Sequence, residues 1–285
     1  MIGEYMTKKN VIITGASDGI GAAAVRGLNQ DEYNLYLVGR NKAKTAKIAK
    51  EVNAPYFIAD FSQLDQVRHL AAALQTTLGE QKIDILVNNA GGLFGSYELT
   101  NDGFERTLQV DYLAPFLLTQ LLLPNFNSKQ AVVINTSSIA HQLFGHINLN
   151  DLNNSHKKYE ATKAYGDAKL ENILFANELD RRYHKNGLSA VSFHPGMIRT
   201  NFANDKKSWM YRIYHTVLNK VILQSAEAGG DTLRFFIEGT PGETWESGTY
   251  YNKRGKAKKF NPQVNDLTLQ EQLWDKTKEL LHLVD

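Results

Sequence analysis

Tyr165 and Lys169, in the stretch Tyr165-Gly-Asp-Ala-Lys169, are the two residues of this chain whose types and spacing most directly suggest chemistry. Residues four apart share one face of a helix, so the ammonium can sit near the phenol. A free tyrosine titrates near about 10, far from ideal for proton transfer at neutral pH. A neighbouring Lys⁺ favours the phenolate and lowers that value. Tyr165 could then give a proton to a carbonyl as it is reduced, or take one from an alcohol in reverse. A hydroxyl of Thr136-Ser137-Ser138 could hold the same oxygen, because it follows the apolar run Ala131–Asn135, and ligands of strand–helix sheets bind at the carboxyl ends of strands. Ser137 and Ser138 both qualify. A lone Tyr-x3-Lys is most often an exposed helix pair, and a second one is present, Tyr159-Glu-Ala-Thr-Lys163. The two tyrosines lie about 240° apart on a helix of 3.6 residues per turn, so one continuous helix cannot turn both into one pocket.

The company these residues keep gives them weight. Thr14-Gly15-Ala16-Ser17-Asp18-Gly19-Ile20-Gly21 follows the apolar run Val11-Ile12-Ile13 and opens a segment with helical spacing. Strand, glycine turn, helix is the context in which such glycines bind phosphate. Gly15 can take positive φ, Gly19 removes a Cβ where a pyrophosphate would approach, and Gly21 lets the helix lie close to the strand. The helix then aims its free N–H groups and the positive end of its dipole at the phosphates. An NAD site usually carries an acidic residue about 20 residues beyond this turn. Here that place is Gly39, followed by Arg40 and, nearby, Lys42. A guanidinium suits a 2′-phosphate, which favours NADP over NAD; Asp18 counts slightly the other way. Asn88-Asn89-Ala90-Gly91 forms a small-residue loop with room for a ribose and an amide able to tie strands together.

These groups need a sheet to place them. Apolar runs at 11–13, 35–38, 56–58, 83–87, 132–134 and 188–193 alternate with helical patterns, and 247–251 reads as a last strand. Such alternation implies a parallel sheet covered on both faces, and right-handed crossovers make it doubly wound. The expected fold is therefore α/β, Rossmann-type, with about seven strands, in one domain spanning residues 1–285. The chain carries 32 Lys and Arg against 30 Asp and Glu, a net charge of +2, so no acidic or nucleic acid partner is implied. The basic stretch 253–259 reads as a solvated loop. Cysteine is absent, and the eight histidines form no His-x3-His pair, which argues against thiol nucleophiles and a zinc site. No signal-peptide core or 20-residue apolar span is visible, so the expectation is a cytoplasmic protein with a small-molecule substrate.

Thr-Gly-x3-Gly-x-Gly, Asn-Asn-Ala-Gly, the serine after the fifth strand and Tyr-x3-Lys together resemble the short-chain dehydrogenase/reductase family over most of the chain. Ala164-Tyr165-x3-Lys169-Leu170-x-Asn172, His194-Pro195-Gly196-Met197-Ile198-Arg199-Thr200 and Ser247-Gly248-x-Tyr250 resemble its retinol-dehydrogenase-like branch. The resemblance implies Tyr165 rather than Tyr159 as acid/base, Lys169 as its partner and ribose contact, and Ser138 as the substrate-orienting hydroxyl. It implies cofactor contacts at Gly15, Ser17, Asp18, Gly19, Ile20 and Gly21. Arg40, Asp60, Phe61, Asn89, Ala90 and Gly91 would follow, with Asp60 on the adenine. Tyr165, Lys169, Pro195, Gly196, Ile198 and Thr200 would complete the site. It also implies a substrate lid at 201–223 after the sixth strand, whose Phe202, Trp209, Tyr211 and Tyr214 suggest an apolar substrate, with Leu93, Phe94 and Tyr97 opposite. Family members often pair as dimers or tetramers. One position departs from the family. Asp111 stands where an Asn supports a helix kink and offers its main-chain carbonyl to a water leading to the lysine. Asp111 counts with the catalytic group, and Pro115, which has no N–H for that carbonyl, is expected to cause the kink instead and to keep the carbonyl free for that water. The alternative is an NADP(H)-binding sensor or scaffold with little or no turnover, with Asp111 as its best support.

Overall fold

The computed structural model describes residues 8–155, 158–197 and 224–283. Its strands are β1 (Lys9–Thr14), β2 (Tyr33–Gly39), β3 (Tyr56–Ile58), β4 (Ile85–Asn88), β5 (Ala131–Thr136), β6 (Leu188–His194), β7 (Thr249–Asn252) and β8 (Gly255–Lys256). They form one sheet in the order β3-β2-β1-β4-β5-β6-β7-β8. The first seven strands run parallel, and the order reverses at β1, where β2 lies on one side and β4 on the other. That reversal opens a crevice at the carboxyl ends of the strands. The expected doubly wound α/β sheet is thus present, with one correction. Part of the basic stretch read as a solvated loop folds back as β8, antiparallel to β7, after a turn in which Lys253 takes φ +57°.

The helices are α1 (Gly19–Gly27), α2 (Lys42–Glu51), α3 (Leu64–Leu78), α4 (Arg106–Leu108), α5 (Ala114–Leu122), α6 (Ala140–Leu143), α7 (Ala161–Tyr183), α8 (Ala226–Glu238) and α9 (Leu267–Leu280). Alternate residues of the strands feed two cores, as period-2 geometry requires. Val11, Ile13, Leu35 and Leu37 pack with Val25 of α1 and Phe236 of α8 on one face. Ile12, Tyr36, Leu86 and Val133 pack with α3, α5, α7 and α9 on the other. Capping side chains stand at several helix starts, Asp18 for α1, Asn41 for α2, Ser225 for α8 and Asp266 for α9, and satisfy donors the helix leaves free. Among the described residues no helix is long and apolar enough to cross a membrane.

Between α4 and α5 lies a wide turn, Gln109–Leu113, in which Ala114 N donates to the Gln109 carbonyl five residues back. Pro115 has no N–H to give to Asp111, so the helix opens here. The released Asp111 carbonyl accepts from Asn172 Nδ2 at 2.9 Å. Pro115 therefore frees this carbonyl as expected, but a side chain of α7 takes it up.

Candidate active site

The glycine turn is built by close approach. A Cβ on Gly21 would meet the Gly15 carbonyl oxygen at 2.3 Å, and Gly15 itself takes φ +67°. Both positions require glycine for α1 to begin directly above β1. Thr14 Oγ1 accepts from Asn89 N and Ala90 N at 3.0 Å and donates to the Val87 carbonyl at 3.0 Å. Asn89 Nδ2 donates to the Thr14 carbonyl at 3.1 Å, and Asn88 Nδ2 to Asn135 Oδ1 at 2.9 Å. The two asparagines thus tie β1, β4 and β5 together at the crevice.

These elements enclose a cleft of about 1000 Å³. Gly15, Ser17, Asp18, Gly19 and Ile20 line one end together with Arg40, and Asp60 and Phe61 lie beside them. Asn89, Ala90 and Gly91 form the floor, and Pro195 and Gly196 a further edge. Gly21 does not line the cleft; it packs beneath the turn, and its role is to let the helix approach. Asp60 Oδ1 accepts from Ser62 N and Ser62 Oγ, while the first turn of α3 is capped from elsewhere, Leu64 N donating to Asp102 Oδ2 at 2.9 Å. Ile198, Thr200 and the expected lid at 201–223 lie outside the described residues.

Asp18 has two tasks. One oxygen accepts from Gly19 N at 2.8 Å, and the other lies 2.6 Å from Lys44 Nζ. Its charge is thereby matched by a lysine the sequence reading passed over in favour of Lys42. The available signal was spacing: Lys44 stands one helical turn beyond Arg40. Lys44 also lines the cleft. The cleft therefore offers a helix N-terminus, a small-residue turn, a small-residue floor and two cations at the end where β2 stops. That donor set fits a phosphorylated dinucleotide.

Farther along the cleft stand Ser138, Tyr165 and Lys169. Ser137 is withdrawn, since its Oγ is buried and donates to the Lys169 main-chain carbonyl at 2.7 Å. Ser138 Oγ accepts from Ala140 N at 3.2 Å at the start of α6. Tyr165 and Lys169 sit on α7, with Nζ 5.2 Å from the centre of the phenol ring. Tyr159 precedes α7, and its hydroxyl donates to Glu105 Oε1 at 2.9 Å, away from the cleft. Burial first, and then Glu105, push its pKa well above the ordinary phenol value.

Lys169 Nζ lies 2.8 Å from Asp111 Oδ2, both side chains being buried. Asp111 Oδ1 accepts from Gly92 N at 2.8 Å. Burial raises the Asp111 carboxyl above its usual range, against the opposing pull of Lys169 and of the Gly92 N–H. Asp111 sits behind Lys169 and does not line the cleft. His194, at the end of β6, is kept neutral, its pKa lowered to about 4 by burial and then by His141 and Lys253.

Leu93 and Phe94 line the opposite wall, with Leu143, Phe144 and Met197 toward the mouth. Tyr97 does not; it packs edge-on against Tyr159, ring centres 5.4 Å apart. The sequence reading also missed Arg106, which lies over the Phe94 ring at 4.4 Å and pairs with Glu98 at 2.6 Å on the cleft wall.

A family model described as short chain dehydrogenase matches residues 9–211. A Streptomyces sp. (strain C5) protein, provisionally named the daunorubicin C-13 ketoreductase DnrU, is 36% identical over 94% of this chain and 90% of its own length. Human retinol dehydrogenase 11 is 31% identical over 96% of this chain and 86% of its own. The crystal structure of an uncharacterized protein from Mycobacterium paratuberculosis superposes with a TM-score of 0.77 at 28% identity, covering 97% of this chain and 94% of the other. Further structures of this fold, at 20 to 22% identity, are described as holding NADP or NADPH.

Proposed function

This chain is an oxidoreductase of the short chain dehydrogenase family, on its retinol-dehydrogenase-like branch, and from that premise we propose that it interconverts an apolar carbonyl and its alcohol with NADP(H), using Tyr165 as general acid/base. The observation that carries this reading is the placement of Ser138, Tyr165 and Lys169 on one cleft with the glycine turn and Arg40.

When bound, the reduced cofactor supplies the hydride that the carbonyl carbon accepts. The chain supplies the rest. The α1 N-terminus and the turn at Gly15–Gly19 would hold the pyrophosphate through N–H groups other than those of Ala16 and Gly19, which donate to Val38 and Asp18. Arg40 and Lys44 take the 2′-phosphate, which favours NADP over NAD. Ser138 Oγ donates to the substrate oxygen and fixes its direction. Tyr165 gives that oxygen its proton in reduction and takes it back in oxidation. Lys169 holds the ribose and sets the charge beside the phenol. Leu93, Phe94 and Leu143 give the substrate an apolar seat and keep water from the reacting oxygen.

The test is consumption of NADPH and NADH against a panel of aliphatic and aromatic aldehydes and ketones, with Tyr165→Phe as control. The expected result is turnover that prefers NADPH and falls by roughly 10²–10⁴ in the variant, the span of general acid catalysis. Tight NADPH binding without turnover on any substrate would overturn the enzymatic reading in favour of a cofactor-binding sensor.

A further inference from the structure

A carboxylate stands 2.8 Å behind the ammonium that faces Tyr165. Asp111 is reached from the wide turn at 109–113, and Gly91 makes room for it, since a Cβ there would lie 3.0 Å from Asp111 Oδ2. Its second oxygen is fixed by Gly92 N. Both members of the pair are almost fully enclosed, at 5% and 0% side-chain exposure, so water does little to screen them. With one proton between them the pair has no net charge, wherever that proton sits. An ammonium lowers the pKa of a nearby phenol only in so far as its charge is uncompensated.

We propose that Asp111 is a positioning residue that neutralises Lys169 and so keeps Tyr165 protonated to higher pH, biasing the site toward carbonyl reduction. Reduction needs the phenol as proton donor; oxidation needs the phenolate as acceptor. A site with an uncompensated lysine serves oxidation at neutral pH, whereas this one holds the acid form. The inference rests on the reading of Tyr165 as the proton donor.

The other ionisable groups around α7 leave Asp111 as the compensating charge. Lys163 and Asp167 pair with each other on α7 itself. Glu171 is buried on the same helix, and its carboxyl is raised well above the usual range by burial. Glu105 is spent on Thr107, Leu108 and Tyr159, and Arg106 on Glu98. His141 of α6 and His194 of β6 are both lowered by burial and stay neutral. Among the described residues Asp111 is the carboxylate within ion-pairing distance of Lys169.

The test is an ultraviolet tyrosinate titration of the cofactor-free protein. Subtracting the Tyr165→Phe curve from the wild-type curve isolates this one phenol, and the same subtraction is repeated in an Asp111→Asn background. The expected result is a wild-type value at or above about 9, close to free tyrosine, and a value lower by about one unit or more without the carboxylate. In kinetics the same variant should move the pH at which alcohol oxidation reaches half its plateau down by about one unit, because that limb follows formation of the phenolate. An unmoved phenol in Asp111→Asn, even with all rates reduced, would overturn the proposal and leave Asp111 a structural prop. Should Asp111→Asn fail to fold, Asp111→Ser replaces it. If neither folds, the wild-type titration decides, and a value below about 9 contradicts the proposal. Full activity in Tyr165→Phe would instead remove the acid/base reading, a result the titration does not depend on.

Discussion

A phenol acts according to what its oxygen faces, and the two tyrosines before Lys163 and Lys169 face opposite things. Tyr159 gives its proton to a hydrogen bond with buried Glu105, a carboxylate that disfavours phenolate. Tyr159→Phe should therefore leave turnover within about twofold of wild type while costing about 1–3 kcal/mol of stability in a denaturant titration, because Glu105 loses a partner. Residue spacing alone left these tyrosines open. The family resemblance points to Tyr165, and α7 begins at Ala161, after the first of the two tyrosines. The resemblance favours Ser138 over its neighbour Ser137, and the hydroxyls of the two take different partners at the end of β5. Asp18 is a third case. Read alone it opposes a 2′-phosphate, but in place its charge is met by Lys44. Asp18→Asn keeps an N-cap and frees Lys44, so KM for NADPH should fall roughly threefold with KM for NADH nearly unchanged, the size expected of an exposed charge pair. An equal change for both cofactors would remove Lys44 from the 2′-phosphate site.

At the scale of elements, the wide turn at 109–113 and the long helix α7 act as one unit. Pro115 announces in the sequence that the Asp111 carbonyl loses its helical donor. The replacement, Asn172, is 61 residues away and unreadable from local pattern. The same holds for the Asp111–Lys169 pair, in which a substitution readable as a defect turns out to be a buried contact. Helix α7 also buries Glu171, whose Oε2 has no hydrogen-bond partner among the described residues and whose carboxyl is held well above its ordinary range by burial. Below about pH 4.5 folded and unfolded chains both keep that proton. As pH rises toward the folded pKa, the unfolded chain releases it and the folded chain retains it, so this group's contribution to stability falls. Glu171→Met removes the titration. The melting temperature of the variant relative to wild type should therefore climb as pH rises above about 4.5, and a flat or falling difference would show that Glu171 has a hidden partner.

The molecule as a whole is a sheet whose strand order reverses at β1, with the cleft at the reversal. This much was legible, because strands of a covered parallel sheet favour continuous apolar runs; the six runs stand where β1 to β6 stand, and 247–251 overlaps β7. The two-residue strand β8 was not, since Gly255–Lys256 has neither length nor apolar pattern and is held by pairing with β7 and by the Lys256–Glu246 ion pair. The docking of α9 was equally silent, for it depends on Trp274 meeting Phe116 and Phe175 from distant elements. A cofactor spanning the reversal ties these parts together, so NADPH at a hundredfold over its Kd should stabilise the fold by about 2.7 kcal/mol and raise its melting temperature by several degrees. NADH at the same concentration should raise it less. If the cleft passes hydride to a carbonyl carbon while Tyr165 supplies the proton, a single turnover with NADPH carrying deuterium at both nicotinamide C4 positions, read by mass spectrometry of the product, reports it. Deuterium is expected on the carbinol carbon in the wild-type reaction, with the same product formed at least about a hundredfold more slowly by Tyr165→Phe. An unlabelled product, or an undiminished rate in Tyr165→Phe, would contradict it.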